Sequence, residues 1–242
     1  MNELNLNKTD RKLAVLIDPD KHSIDELIDF TREIVELNPD FILVGGSLVV
    51  NSNIAEACRV IKSLISVPLI LFPGHFTHLT NEVDQILLLS LISGRNPDLL
   101  IGQHVLSAPK LKSLSRKLNP TGYMLIDGGN PTSVSYMSNT QPIPRSKTDI
   151  ATCTAMAGEA LGLKLIYMDA GSGATYRIAG STIKAVSESI NIPLIVGGGL
   201  REVSHIFDCW DSGANLVVIG NGIEESKAFR ASIINEMNRG KA

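Results

Sequence analysis

The sequence predicts a (β/α)8 barrel, and three observations carry that reading. Eight short apolar runs alternate with longer amphipathic stretches along 242 residues, close to the ~250 typical of the fold. Each run is almost unbroken in apolar character, as strands of a parallel sheet buried on both faces must be. Polar or glycine-rich residues recur at the ends of the runs: "LIDPD" (16–20) is echoed by "LIDGG" (125–129), and "LVGGS" (43–47) by "IVGGG" and "VIGNG". A doubly wound open sheet collects such signals at one switch point, whereas a barrel gathers all its strand ends around one mouth. One domain spanning residues 1–242 is the expectation.

The elements follow in order. "LAVLID" (13–18) is strand one, and "SIDELIDFTREIVEL" is a helix opened by a capping box, with Ser23 three residues before Glu26. "FILVGG" (41–46), the helix "IAEACRVIKSLI" and "LILFPG" (69–74) come next. "HFTHLTNEVDQ" (75–85) has no clean helical start. Strand four is read at "LLIGQ" (99–103), before the helix "VLSAPKLKSLSRKL". "YMLIDGG" (123–129) is strand five, followed by the Pro/Ser/Thr-rich stretch 130–150, a long loop of the kind that serves function. "ATCTAMAGEALG", "STIKAVSESI", "REVSHIFDCWDSG" and "EESKAFRASIINEMN" are helices interleaved with strands "KLIYMDAG" (164–171), "LIVGGG" (194–199) and "LVVIGN" (216–221). Asn-Pro, Val-Pro or Gly before several strands supplies the stop signals.

Composition narrows the function classes. A formal net charge of -3 gives no basic surplus for nucleic acid or anionic membrane. Cys58, Cys153 and Cys209 are scattered, without a C-x-x-C pair, and read as reduced core thiols. The polar start "MNELNLNKTDRK" lacks a signal-peptide core, and "QILLLSLIS" (85–93) is far short of the ~20 residues of a membrane span. A cytoplasmic protein without an integral membrane span is expected, in transient contact with a membrane at most. Apolar helix surfaces on a barrel suggest a homo-oligomer.

Four constellations sit at strand ends. Gly197, Gly198 and Gly199 close strand seven, and Gly220, Asn221 and Gly222 close strand eight. Glycine lets the main chain approach a ligand and converge its N–H groups on an anion, and these two loops form the recurrent phosphate site of such barrels. One glycine per turn would serve chain reversal alone. Asp18 ends strand one, where a carboxylate suits Mg2+ bridged to phosphate oxygens; the bland alternative, an N-cap, is already filled by Ser23. Asp20 reads as a solvated loop acid. Gly45, Gly46 and Ser47 end strand two, with Ser47 either a ligand of a metal or phosphate or an N-cap. Strand six delivers Tyr167 and Asp169 to one face, then Gly171 and Ser172. A phenol beside a carboxylate can orient and deprotonate an alcohol. His75, His78 and His205 read as surface or satisfied side chains, and His104 as a weak candidate near the mouth.

In this order and spacing, "LIDPDK", "VGGS", "YMDAGSGA", "VGGGLR" and "IGNGIE" resemble the geranylgeranylglyceryl phosphate synthase family, which includes bacterial heptaprenylglyceryl phosphate synthases; "LIGQHV" and "LIDGG" are most like its second group. The resemblance implies a Mg2+-dependent prenyltransferase on a modified barrel with an irregular segment in place of the third helix, which suits 75–85. It implies sn-glycerol 1-phosphate and a long prenyl diphosphate as substrates, Asp18 and Ser47 on the metal, and the strand-seven and strand-eight glycines with Asn221 on the glycerol phosphate. Tyr167, Asp169, Gly171 and Ser172 would line the same substrate, with Asp169 accepting the proton of its C3 hydroxyl. Asp169 stands where many members have Glu, one methylene longer. Leu16 stands where many have Lys, so either Lys21 supplies the positive charge or the diphosphate is held differently. Phe76 and the "ILLLSLI" run are expected to line a groove for the prenyl tail. Two rivals share the glycine loops: another phosphate-sugar barrel enzyme, such as an isomerase or aldolase, and a non-catalytic phosphate-binding barrel.

Overall fold

The computed structural model describes residues 4–50 and 53–239. Eight parallel strands close into a barrel in sequence order, β1 (Lys12–Ile17), β2 (Phe41–Val44), β3 (Leu69–Leu71), β4 (Gln85–Leu91), β5 (Leu118–Leu125), β6 (Leu165–Asp169), β7 (Leu194–Gly197) and β8 (Leu216–Ile219). β8 pairs back onto β1 and completes the ring. The helices are α1 (Ile24–Glu36), α2 (Ile54–Leu64), α3 (Gln103–Ser113), α4 (Ser133–Ser138), α5 (Thr148–Ala160), α6 (Gly180–Ser189), α7 (Val203–Asp211), α8 (Asn221–Glu225) and α9 (Lys227–Arg239).

Local chemistry starts the first two helices where the chain says it should. Ser23 accepts from the Glu26 N–H while the Glu26 carboxylate accepts from the Ser23 N–H, so the capping box of α1 is closed. Below it Leu27, Phe30 and Ile34, spaced three and four apart, face the core. α2 is capped by Asn53, whose Oδ1 accepts from the N–H groups of Ala55 and Glu56. Ser47 is therefore not its N-cap, and that alternative falls.

Alternation along the strands builds two cores. Ala14, Leu43, Ile70, Leu87, Tyr123, Tyr167, Ile195 and Val218 point into the barrel, while Val15, Ile42, Leu69, Met124, Ile166, Val196 and Val217 pack outward under the helices. Nearly every strand residue is thus buried on one side or the other, which is why the runs read as unbroken apolar sequence.

Strand four corrects the sequence reading. β4 is 85–91, not 99–103, and "DLLIG" is instead a π-helical turn (Asp98–Gly102) that leads into α3. No α-helix joins β3 to β4; the segment holds only a 3-10 turn, Phe76–His78. The third crossover helix is thus replaced, as the resemblance implied. The 130–150 stretch carries the short helix α4, capped by Thr132 through a second capping box. Cys58 and Cys209 are buried thiols, pushed up to about 12 and about 11 by desolvation, but Cys153 is exposed on α5 rather than in the core.

Candidate active site

Strand register assembles the centre of the mouth. Tyr123 on β5 lies beside Tyr167 on β6, and Asp169 lies beside Gly197 on β7. The period of two turns Tyr123, Tyr167 and Asp169 inward together. Asp169 is only 8% exposed. Its Oδ2 accepts from the Tyr123 hydroxyl at 2.6 Å and its Oδ1 from the Gly171 N–H at 2.7 Å. Burial raises its pKa above the usual carboxylate range, opposed by those two donors. Desolvation, with Asp169 adjacent, holds both phenols well above their ordinary value, so they stay protonated. Phe72 completes a cluster of three rings, with centroids 5.3 Å from Tyr167 and 6.0 Å from Tyr123.

The glycine loops wrap this carboxylate. Gly198 has φ +84, and a Cβ there would lie 2.6 Å from Asp169 Oδ1 and 2.7 Å from the Ala170 nitrogen. Only a bare α-carbon fits. Gly197 is set one step back: its carbonyl accepts from the Ala170 N–H, and a Cβ there would lie 2.9 Å from the Tyr167 hydroxyl. Gly197 is not among the residues that line the cavity. On the next strand, Gly220 precedes α8, so the N–H groups of Asn221 and Gly222 stand ahead of that helix's hydrogen-bond ladder.

The β1 loop closes the far side. Asp18 caps the 3-10 turn Pro19–Lys21, its Oδ1 accepting from the Asp20 N–H at 3.2 Å. It therefore does serve as a cap, though of this turn and not of α1. Burial raises its pKa, against pulls from the Asp20 N–H and Lys21. Its carboxylate lies against Gly46, where a Cβ would approach to 3.3 Å. Asp20 is engaged as well: its Oδ2 accepts from the Val50 N–H at 2.7 Å and fastens the β2 loop. Lys21 reaches the β8 loop. Its Nζ donates to Asn221 Oδ1 at 2.8 Å and pairs with Glu224 Oε2 at 2.5 Å, and Ser172 donates to the same Asn221 oxygen at 3.1 Å. Lys21 therefore braces Asn221 from behind and is not a lining residue.

One cavity of about 160 Å³ brings the remaining candidates together: Asp18, Ser47, Tyr167, Asp169, Gly171, Ser172, Gly198, Gly199, Gly220, Asn221 and Gly222. Gly46, Ser47, Leu48, Phe72 and Val134 also line a second, mostly apolar cavity of about 380 Å³. Leu89, Leu91, Leu99, Tyr123 and Met137 form its further walls. Of the expected groove residues, Leu89 and Leu91 are there. Phe76 is not; its ring packs on His75 with centroids 4.2 Å apart, and its N–H donates to Gln103 Oε1 at 3.1 Å.

The histidines divide. His104 Nε2 lies 2.9 Å from the Leu89 carbonyl and is satisfied. His78, read as a surface or satisfied side chain, is instead buried along the groove, and its Nδ1 has no hydrogen-bond partner among the described residues. Burial, with His75 beside it, lowers its pKa.

Tyr123, Phe72 and Glu224 are the site residues that sequence reasoning missed. Tyr123 carried no signal of its own in the sequence, because it comes to lie beside Tyr167 only through the β5–β6 register.

Fold and site together define a barrel enzyme whose mouth joins a buried carboxylate and phenol to glycine loops on one side and an apolar groove on the other. Among the described residues no helix is long and apolar enough to cross a membrane. The family model described as the PcrB family matches residues 7–240. The chain is 48% identical over 227 residues to a geranylgeranylglyceryl phosphate synthase of Chitinophaga pinensis, covering 94% of this chain and 88% of the relative. It is 45% identical over 232 residues to the protein of that name from Spirosoma linguale, covering 95% and 93%. Among solved structures, (S)-3-O-geranylgeranylglyceryl phosphate synthase from Thermoplasma acidophilum, in complex with its substrate sn-glycerol-1-phosphate, superposes with a TM-score of 0.87 at 28% identity, covering 94% of this chain and 92% of that one. This chain belongs to the PcrB family and is a prenyltransferase. Membership removes the isomerase, aldolase and non-catalytic readings.

Proposed function

We propose that this enzyme joins a long-chain prenyl diphosphate to the C3 hydroxyl of sn-glycerol 1-phosphate, releasing diphosphate and forming a prenylglyceryl phosphate ether. The observation that carries the reading is the adjacency of the two cavities. A polar chamber holding Asp169 and the glycine loops shares Ser47 and Phe72 as walls with an apolar groove lined by Leu89, Leu91 and Leu99. An acceptor with an anionic head and a donor with a hydrocarbon tail call for those two environments side by side. The names of the relatives, and the substrate bound in the Thermoplasma acidophilum protein, support the choice of acceptor.

In this reading the acceptor's phosphate lies on the main chain of Gly198, Gly199 and Gly220–Gly222, where bare amides converge without the cost of ordering long side chains. Asn221 is held in place by Lys21 and Ser172. The C3 hydroxyl lies between Tyr167 and Asp169. Each Asp169 oxygen already accepts one hydrogen bond and keeps a further lone-pair site, so the carboxylate can take the hydroxyl proton. Its raised pKa brings it nearer the working pH, which makes it a better base than a solvated aspartate. The C3 oxygen forms its bond to the allylic C1 of the donor as the C1–O bond to diphosphate breaks, and the proton ends on Asp169. The rings of Phe72, Tyr123 and Tyr167 pack together where the two cavities meet.

Asp18 and Ser47 fit a Mg2+ ion. Among the described residues no three His, Cys, Asp or Glu side chains cluster as a metal cage, and Mg2+ is ordinarily held by one or two carboxylates together with substrate phosphates and water. A partly desolvated Asp18 against Gly46 offers such a carboxylate. Bound there, the ion would supply charge stabilisation to the departing diphosphate.

The test is an ether-forming assay with radiolabelled sn-glycerol 1-phosphate, prenyl diphosphates of graded length, and Mg2+ or EDTA. Labelled product extracted into organic solvent, dependent on Mg2+, is the expected result. No product with any donor refutes the proposal.

A further inference from the structure

Tyr123 stands at the junction of the two cavities. Its ring is part of the groove wall and its hydroxyl is bonded to the carboxylate of the polar chamber. The contact joins β5 to the end of β6, is buried, and at 2.6 Å has the length of a hydroxyl bonded to a charged acceptor. The bond satisfies a buried carboxylate oxygen, and it does so with a side chain that also walls the groove. A phenylalanine would fill the same space between Phe72 and Tyr167 without placing a hydroxyl on the base. Tyr123 and the Gly171 N–H hold the two oxygens of Asp169 from two sides.

We propose that Tyr123 is a positioning residue of the transfer reaction: its hydroxyl fixes one oxygen of Asp169 and thereby presents the other toward the acceptor hydroxyl in the ionised state. This rests on Asp169 being the base. Tyr123 keeps its own proton throughout, held by desolvation and by the adjacent carboxylate. The groups around Asp169 make this donor decisive. Tyr167 shares its strand, Asp18 and Glu224 line the cavity from β1 and α8, Lys21 is engaged by Glu224, and the β7 side brings glycines and Arg201. Tyr123 and the Gly171 N–H are the hydrogen-bond donors to the carboxylate among the described residues. A prenyl chain in the groove would lie against the Tyr123 ring, so donor binding and alignment of the base meet in one side chain.

The experiment compares wild type, Tyr123→Phe and Asp169→Asn, with kcat and KM measured from pH 5.5 to 9. Tyr123→Phe keeps the ring. It is expected to lose about tenfold in kcat at neutral pH, with KM for sn-glycerol 1-phosphate within about twofold. Removing a donor to the ionised carboxylate favours its protonated form, so the deficit widens as pH falls and narrows as pH rises. A purely structural role would give a deficit that does not vary with pH. Two further readouts stand beside the kinetics of this variant, the first independent of turnover and the second keeping the hydroxyl in place. The 13C carboxyl resonance of Asp169, identified by its loss in Asp169→Asn, should titrate at higher pH in Tyr123→Phe. Placing 3-fluorotyrosine at 123, a stronger donor of the same shape, should shift the acidic limb the opposite way. Parallel pH profiles in all forms, or an unmoved Asp169 resonance, overturn the proposal while leaving Asp169 as the base. Full turnover by Asp169→Asn would overturn the base assignment itself.

Discussion

Replacing Gly198 by alanine is the most informative single perturbation of the mouth. The new Cβ would stand 2.6 Å from Asp169 Oδ1, 2.7 Å from the Ala170 nitrogen and 2.8 Å from the Gly171 nitrogen. Ordinary contact begins near 3.4 Å, so the loop and the carboxylate must separate by about 0.8 Å or the methyl cannot be accommodated. The φ of +84 adds backbone strain for any L side chain, roughly 1–2 kcal/mol, and overpacking contributes about 1–3 kcal/mol more. A total loss of about 2–5 kcal/mol corresponds to a Tm lower by about 5–15 °C for a chain of this length. The same displacement breaks the geometry between the phosphate loop and the base, and an error near 1 Å costs about 100-fold in rate. Thermal unfolding together with steady-state kcat and KM for sn-glycerol 1-phosphate measures both effects. A variant with wild-type Tm and kcat would show that the β7 loop does not press on Asp169, and the described site would be wrong.

Other consequences are as direct. Asp18→Asn should abolish Mg2+-dependent turnover yet raise stability at pH 7. The folded-state pKa of Asp18 lies above its unfolded value, so its contribution is favourable in acid and is lost as pH rises through the raised value; the Tm gain of the variant should therefore shrink as pH is lowered toward the ordinary carboxylate range. EDTA should stop catalysis without unfolding the protein, followed by circular dichroism, because no metal cage supports the fold among the described residues. Leu89→Trp should narrow the groove and raise KM for the longest prenyl donors by about 10–100-fold, leaving KM for the acceptor unchanged. Lys21→Met should raise KM for sn-glycerol 1-phosphate several-fold, about a kcal/mol in binding, through loss of the brace on Asn221.

The barrel was legible because both faces of its strands are buried, which leaves eight apolar runs that no amphipathic strand would show. Strand four was misread for a physical reason. With no helix after β3, the strict strand–helix alternation pushed the reading past 85–91 to the next apolar run, and "DLLIG" satisfies a strand pattern as easily as a helical turn. Likewise β5 begins at Leu118, where "LNPTG" carries the turn residues of a loop, and Pro120 lies inside the strand. At the site, glycines announced themselves because extra backbone freedom is visible in composition. Tyr123 did not, since its role comes from a cross-strand register that only the closed barrel supplies. Lys21 was found as a cation, but its partners, 200 and 203 residues away, were not.

The account stands or falls on where the acceptor's phosphate sits, and a crystal structure with sn-glycerol 1-phosphate and Mg2+ reads that directly. Phosphate density against the amides of Gly198, Gly199 and Gly220–Gly222, with the C3 hydroxyl within hydrogen-bond reach of Asp169, is the predicted result. Phosphate density beside Asp18 and Ser47, with the glycine loops bare, would contradict it.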